Sequence, residues 1–166
     1  MTRIGFMSDL HLDSNQFGHF ERQTLKDVLK KARIDHLHIA GDLSNNLTKI
    51  SLPFIEDLRQ ELPISFNLGN HDMLGLSEQE ISGYDFQVQQ FGQTKLVSFS
   101  GWYDYSFVPE KSKEEHLRTK TNFWFERRLE RHLDDSSITA HILQKLEKLL
   151  ASLNGPIIVA LHFVPH

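Results

Sequence analysis

Four short apolar segments, at residues 3–7, 34–40, 64–68 and 157–161, are each followed at once by side chains that can bind a metal ion. These are Asp9 and His11, then Asp42, then Asn70, His71 and Asp72, then His162. In an open α/β sheet the parallel strands end on one edge and ligands collect in the crevice outside those carboxyl ends, so residues as distant as Asp9 and His162 can meet there. The chain between these segments fits that order. Residues 20–32 place Leu25, Val28, Leu29 and Ala32 at helical spacing; residues 47–62 do the same with Ile50, Phe54, Ile55, Leu58 and Leu62, Pro53 falling near the helix start. Residues 77–92 read as partly helical with a break near Gly83, and 94–100 as a further strand. Asp134, Asp135 and Ser136 offer N-caps for a helix striped by Leu146, Leu149, Leu150 and Leu153 and stopped by Asn154-Gly155-Pro156, and 157–161 reads as a final buried strand.

This alternation predicts an α/β protein, βα units around a largely parallel sheet, in one domain over 1–166. Residues 101–135 break the rhythm. Rich in aromatics and charge and without a single period, they read as a lid-like excursion over one face.

The absence of Cys excludes disulfides, thiolate metal sites, iron–sulfur clusters and thiol nucleophiles, leaving oxygen and imidazole as ligands, and ten His supply the latter. A net charge of −4 provides no global basic field for nucleic acid or an anionic membrane. Asp9 comes too early for a secretory apolar region and no apolar run approaches a membrane span, which predicts a cytoplasmic protein with no membrane partner.

Carboxylate, imidazole and amide oxygen together suit Mn, Fe, Zn or a similar divalent ion, and two such ions side by side need a shared carboxylate. Asp42 is the natural bridge, because Gly41 lets the backbone turn sharply and brings it to the middle of the group. Asn70 adds a ligand without charge. His71 is placed to face substrate, with Asp72 fixing its tautomer and raising its basicity.

In order, Asp9-Leu10-His11, Gly41-Asp42-Leu43-Ser44-Asn45, Gly69-Asn70-His71-Asp72 and His162 after an apolar strand resemble the calcineurin-like metallophosphoesterase family. Gly-Asn-His-Asp is the specific element; Asp-x-His and Gly-Asp gain weight from their order and their places at strand ends. The resemblance implies a layered α/β sandwich and two divalent metal ions, Mn, Fe or Zn. It implies that Asp9 and His11 hold one ion, Asn70 and His162 the other, with Asp42 bridging, and that His71 is the general acid. The implied reaction is hydrolysis of a phosphomonoester or phosphodiester, in which a metal-bound hydroxide attacks phosphorus in line and His71 protonates the leaving oxygen. The family pattern closes with Gly-His-x-His, which this sequence does not contain, so the chain is expected to be C-terminally incomplete, the alternative being a genuine variant with a depleted site; His166 reads as a frayed terminus, the alternative being a substitute ligand.

The expected partner is a small phosphorylated substrate. A nuclease of the same family and a catalytically weak protein-binding scaffold are the competing readings; the acidic balance gives the first no help, and a scaffold has no need of His71. His36 and His38, two apart on a strand, imitate a metal pair but precede the strand end, and read as satisfied histidines on a helix-covered face. Residues 111–132 carry seven Lys or Arg against four Glu around Phe123, Trp124 and Phe125. They read as an amphipathic helix whose aromatics pack on the body, the alternative being a stacking funnel for a nucleotide or single strand. Trp102, Tyr103, Asp104 and Tyr105 follow a strand and are placed at the crevice wall.

Overall fold

The computed structural model describes residues 2–163, whose strands form two three-stranded sheets. In the first, β1 (Ile4–Met7), β2 (His36–Ala40) and β3 (Ile64–Asn67) run parallel in the order β1-β2-β3, with Ile4 opposite His36 and Leu37 opposite Ile64. The crossover helices α1 (His19–Ala32) and α2 (Leu52–Arg59) both pack on one face of this sheet. Alternate residues of a strand point to opposite faces, and Leu37 and Ile39 take the helix side, closing a core with Leu29, Phe54, Ile55 and Leu58. Full burial of each such side chain is worth about 1.5–3 kcal/mol.

The continuous helix expected over 47–62 is corrected by a π-helical turn, Leu47–Ser51, that precedes α2. Pro53 lies in the first turn of α2. It has no N–H and its ring crowds the carbonyl four residues back, so the preceding backbone widens, and the Asn46 carbonyl accepts from Ser51 at 3.2 Å as well as from Ile50 at 3.0 Å.

His36 and His38 are satisfied, as expected, but on the face away from the helices. Both rings meet the Ser65 hydroxyl at 2.8 Å, and His38 Nε2 lies 3.0 Å from Asn67 Oδ1. The His36 ring touches Phe91 of the second sheet, at 4.8 Å between centroids, so this ladder lies between the sheets. Burial pushes both imidazoles below their ordinary pKa.

The second sheet is mixed in direction, where a largely parallel arrangement was expected. It contains β4 (Gln87–Phe91), β5 (Thr94–Phe99) and β6 (Ile157–Leu161); β4 pairs antiparallel and β6 parallel to β5. The stretch read as partly helical therefore divides. A helix, α3 (Glu78–Tyr84), starts at a Ser77–Glu80 capping box, and β4 then returns as β5 through a two-residue turn whose Gly92 has φ +60°. β6 is not the buried strand expected. Paired on one side only among the described residues, it is a sheet edge, with Ile158 36% and Val159 39% exposed.

The excursion carries α4 (Lys113–Phe123), opened by a Ser112–Glu115 capping box, and a 3₁₀ turn, Phe125–Arg128. It ends at α5 (Asp135–Ser152), where Asp134 caps by accepting from the Ser137 N–H at 3.0 Å. Asp135 ties these parts together: its buried carboxylate accepts from Trp102 Nε1 at 2.8 Å, from Lys120 Nζ at 2.7 Å and from the Tyr105 hydroxyl. Packing of the aromatics on the body holds for Phe125, 3.8 Å from the His71 ring; Trp124 packs on Tyr103 within the excursion, at 5.1 Å, and Phe123 is 78% exposed. Among the described residues no helix is long and apolar enough to cross a membrane.

Candidate metal centre

The loops that leave β1, β2 and β3 are bound to one another before any of their side chains does chemistry. Asp9, His11 and Asp42 have φ of +59°, +42° and +57°, in the left-handed region that costs a residue other than Gly roughly 1–3 kcal/mol. Hydrogen bonds from the N–H groups of Asp9, His11 and Leu12 to the carbonyls of Gly41, Asp42 and Leu43, at 3.1, 3.0 and 2.7 Å, over-determine that conformation. A Cβ on Gly41 would fall 2.4 Å from the Gly69 nitrogen, and one on Gly69 would fall 2.1 Å from Asp42 Oδ1. The glycines of the two motifs are thus the contact that lets the third loop pass against the second and seat the Asp42 carboxylate.

Asp72 completes the clamp. Buried, it accepts from the backbone N–H groups of Asp42 at 2.6 Å, Leu43 at 3.1 Å, Ser44 at 3.3 Å and Gly69 at 3.0 Å, and from the Ser51 hydroxyl at 3.2 Å. Its expected pairing with His71 is corrected by this geometry: the carboxylate turns back onto four amide donors that would otherwise be buried without acceptors. Burial raises its pKa, opposed by those same hydrogen bonds.

The partner of His71 is Asn45, whose Oδ1 lies 2.9 Å from His71 Nδ1. Asn45 Nδ2 donates to Asp13 Oδ2 at 2.9 Å, and because a carboxylate only accepts, the Asn45 oxygen must face the imidazole, whose Nδ1 therefore carries the proton. Asn45 lies within the Gly41–Asn45 motif, yet spacing alone gave it no role. Asp13, four residues beyond Asp9, gave no signal either.

Around Asp42 the site residues converge from both sides. His11 Nε2 is 3.7 Å from Asp42 Oδ2 and 3.9 Å from Asp9 Oδ1, and His71 Nε2 is 3.9 Å from Asp42 Oδ2. On the other side His162 Nε2 is 3.5 Å from Asp42 Oδ1 and 3.2 Å from Asn70 Oδ1, while the His71 backbone N–H donates to that same Asp42 oxygen at 2.9 Å. His162 Nδ1 lies 2.9 Å from the Ala40 carbonyl, which only accepts, so its proton is there and Nε2 keeps a lone pair. Ligand atoms of His11, Asp42 and His71 fall within 4.8 Å of one another, as do those of Asp9, Asp42 and His162. A bare imidazole nitrogen, a carboxylate oxygen and an amide oxygen meeting without a proton among them suit a divalent cation. His71, expected to stand apart from the ligands, lies within reach of one group. His166 lies outside the described residues.

Aromatic rings wall the site. The His71 ring receives the His11 ring edge-on, 4.6 Å between centroids, and Phe125 of the 3₁₀ turn lies on it nearly face to face, at 3.8 Å and 20°. No periodicity pointed to Phe125. Trp102 and Tyr103 stack on each other at 5.2 Å and pack against Phe163, which touches the His162 ring at 5.4 Å, so they stand behind the site on the His162 side. Burial pushes the His71 imidazole below its ordinary pKa, against the pull of Asp42.

The calcineurin-like phosphoesterase family model matches residues 2–166. By structure the chain is similar to phosphopantetheinyl hydrolase from Mycobacterium tuberculosis, with a TM-score of 0.70 and 18% identity over 98% of this chain and 68% of that one. A protein of unknown function from Aquifex aeolicus is matched over 97% of this chain and 90% of that one, at 13% identity and a TM-score of 0.35. No curated protein gives a significant match by sequence. The interlocked Gly-Asp and Gly-Asn-His-Asp loops, the histidine that joins them from the second sheet, and a family match running from the first strand past the last place this chain in the calcineurin-like phosphoesterase family.

Proposed function

We propose that the protein is a metal-dependent hydrolase of phosphate esters, acting on a small phosphomonoester or phosphodiester. The observation that carries this reading is Asp42, one of whose oxygens faces His11 and His71 while the other faces His162. Two divalent ions, Mn, Fe or Zn, bound there would withdraw charge from the phosphoryl oxygens and supply the nucleophile at neutral pH. Asp9 and His11 would hold one ion, Asn70 and His162 the other, and Asp42 both. Asn45 commits the Nδ1 proton of His71, so Nε2 is the atom that would take up a second proton and, from the imidazolium, pass it to the leaving oxygen, with the pull of Asp42 on that charge working against burial. The Ala40 carbonyl keeps His162 in the tautomer a ligand needs. Nucleic acid is not favoured as substrate, since the net charge of −4 opposes a polyanion.

Two substitutions test the reading. His71→Ala should keep its metal and lose about 10²–10⁴ in turnover on an alkyl phosphate, with a much smaller loss on a nitrophenyl phosphate, whose leaving group needs little protonation. A uniform defect, or loss of metal, would make His71 a ligand or a structural residue. Asp42→Asn should lower the bound divalent metal after gel filtration by more than Asn70→Ala does, and parent-like metal content would end the bridging assignment.

A further inference from the structure

The His71 ring is held at three places, and only one is a hydrogen bond. Asn45 Oδ1, 2.9 Å from Nδ1, sets the direction in which the ring points. That bond leaves the ring free to tilt. His11 meets it edge-on at 4.6 Å, and Phe125 covers one face at 3.8 Å and 20°, which fixes the plane and excludes water from that side. Phe125 is itself braced, with the Arg128 guanidinium 4.9 Å from its ring centre, Trp124 before it on Tyr103 at 5.1 Å, and the buried Glu126 after it.

We propose that Phe125 is a positioning residue for His71, so that the 3₁₀ turn after α4 belongs to the reaction machinery rather than to a solvated cover. The proposal rests on the reading of His71 as proton donor. A donor whose plane wanders delivers its proton to the leaving oxygen less often, and small losses of alignment cost rate steeply. The effect falls on turnover rather than on substrate affinity.

Steady-state kinetics of Phe125→Ala and Phe125→Tyr, each in the parent and in the His71→Ala background, on an alkyl and a nitrophenyl phosphate, test it. Phe125→Ala should lower kcat on the alkyl ester by ~3–10-fold with little change in KM and little effect on the nitrophenyl ester. Phe125→Tyr, which keeps a stacking ring, should restore the parent rate, and neither change should matter once His71 is Ala. An equal loss on both esters, or an undiminished loss in the His71→Ala background, overturns the proposal and leaves Phe125 with a role in folding or substrate binding. An independent readout is the NMR shift of the His71 ring protons in the zinc-loaded protein, displaced by the ring current of Phe125 and expected to move in Phe125→Leu. Unmoved shifts would mean that the stack is absent in solution. If the shifts move and His71→Ala still turns over both esters like the parent, the donor role of His71 has failed, and the proposal fails with it for that separate reason.

Discussion

The loops at the ends of β1, β2 and β3 and the excursion over 101–135 reach the same centre by different means. The loops are joined by backbone hydrogen bonds, by the Gly41–Gly69 approach and by one buried carboxylate, so their geometry follows from main-chain contacts. The excursion arrives through side chains, the Phe125 ring on His71 and the hub at Asp135. Main-chain contacts fix the polar groups around Asp42, whereas side-chain contacts alone hold the aromatic wall against them. A substitution should therefore be expensive and global in the loops, and cheap and local in the excursion.

The most severe test of that contrast is Asp72→Ala, which strips the acceptor from the N–H groups of Asp42, Leu43, Ser44 and Gly69. The expected cost in urea unfolding of the metal-free protein is about 3 kcal/mol or more, because each buried N–H left without an acceptor costs about 1–3 kcal/mol where water cannot reach it. A loss under about 1 kcal/mol would show that the loops stand without the clamp. Gly69→Ala comes next, at about 1–3 kcal/mol, because its Cβ meets Asp42 on backbone and side chain with no room to yield. Metal affinity should fall with it. The control is Gly83→Ala in α3, where nothing lies within 4 Å of the added carbon, and where about 0.5–1 kcal/mol of stabilisation is expected.

The sheet beneath the loops has its own signature in pH. His36 and His38 are held neutral by burial, with pKa below the ordinary 6.5, so under mildly acidic conditions the unfolded chain binds more protons than the folded one. Their contribution is complete above about pH 6.5 and is lost as pH falls below it, until the lower folded-state values are reached; each His adds a slope of at most about 1.4 kcal/mol per pH unit. His38→Gln should flatten the acid limb of the unfolding curve relative to the parent, and an unchanged limb would remove this ladder as its cause. The smallest effect belongs to the excursion. Ser112→Ala removes the cap of α4 and should cost about 1 kcal/mol, read as faster amide exchange confined to that helix, with metal content unchanged. Metal loss in this variant would erase the distinction between the two regions.

The first sheet and the convergence of Asp9, His11, Asp42, Asn70, His71 and His162 were legible because each rests on a local signal: apolar strands, helical spacing, and glycines beside polar side chains. What escaped depends on contacts no local pattern encodes. β4 carries three Gln in five residues, and its exposed surface erased the alternation that marks a strand. Ile157 to Leu161 are apolar throughout and imply burial, yet strand order puts them at an edge. Asp72 adjoins His71 in sequence, which suggested a pair, but its carboxylate is drawn to the denser set of amide donors behind it, and Asn45 arrives from another loop instead. Phe125 is joined to His71 only by the path of the whole excursion, so no periodicity could have placed it.

The bond from His162 to the Ala40 carbonyl spans 122 positions and ties β6 to the end of β2. Among the described residues β6 pairs with β5 alone, so opening of that ladder frees His162 and leaves both helices of the first sheet in place. Such an opening withdraws one imidazole from Asn70 and Asp42 while Asp9, His11 and the Asp72 clamp stay as they are. An ion held on the His162 side would then lose its imidazole by local fraying of one strand and not by global unfolding, and would exchange on a different clock from one held by Asp9 and His11.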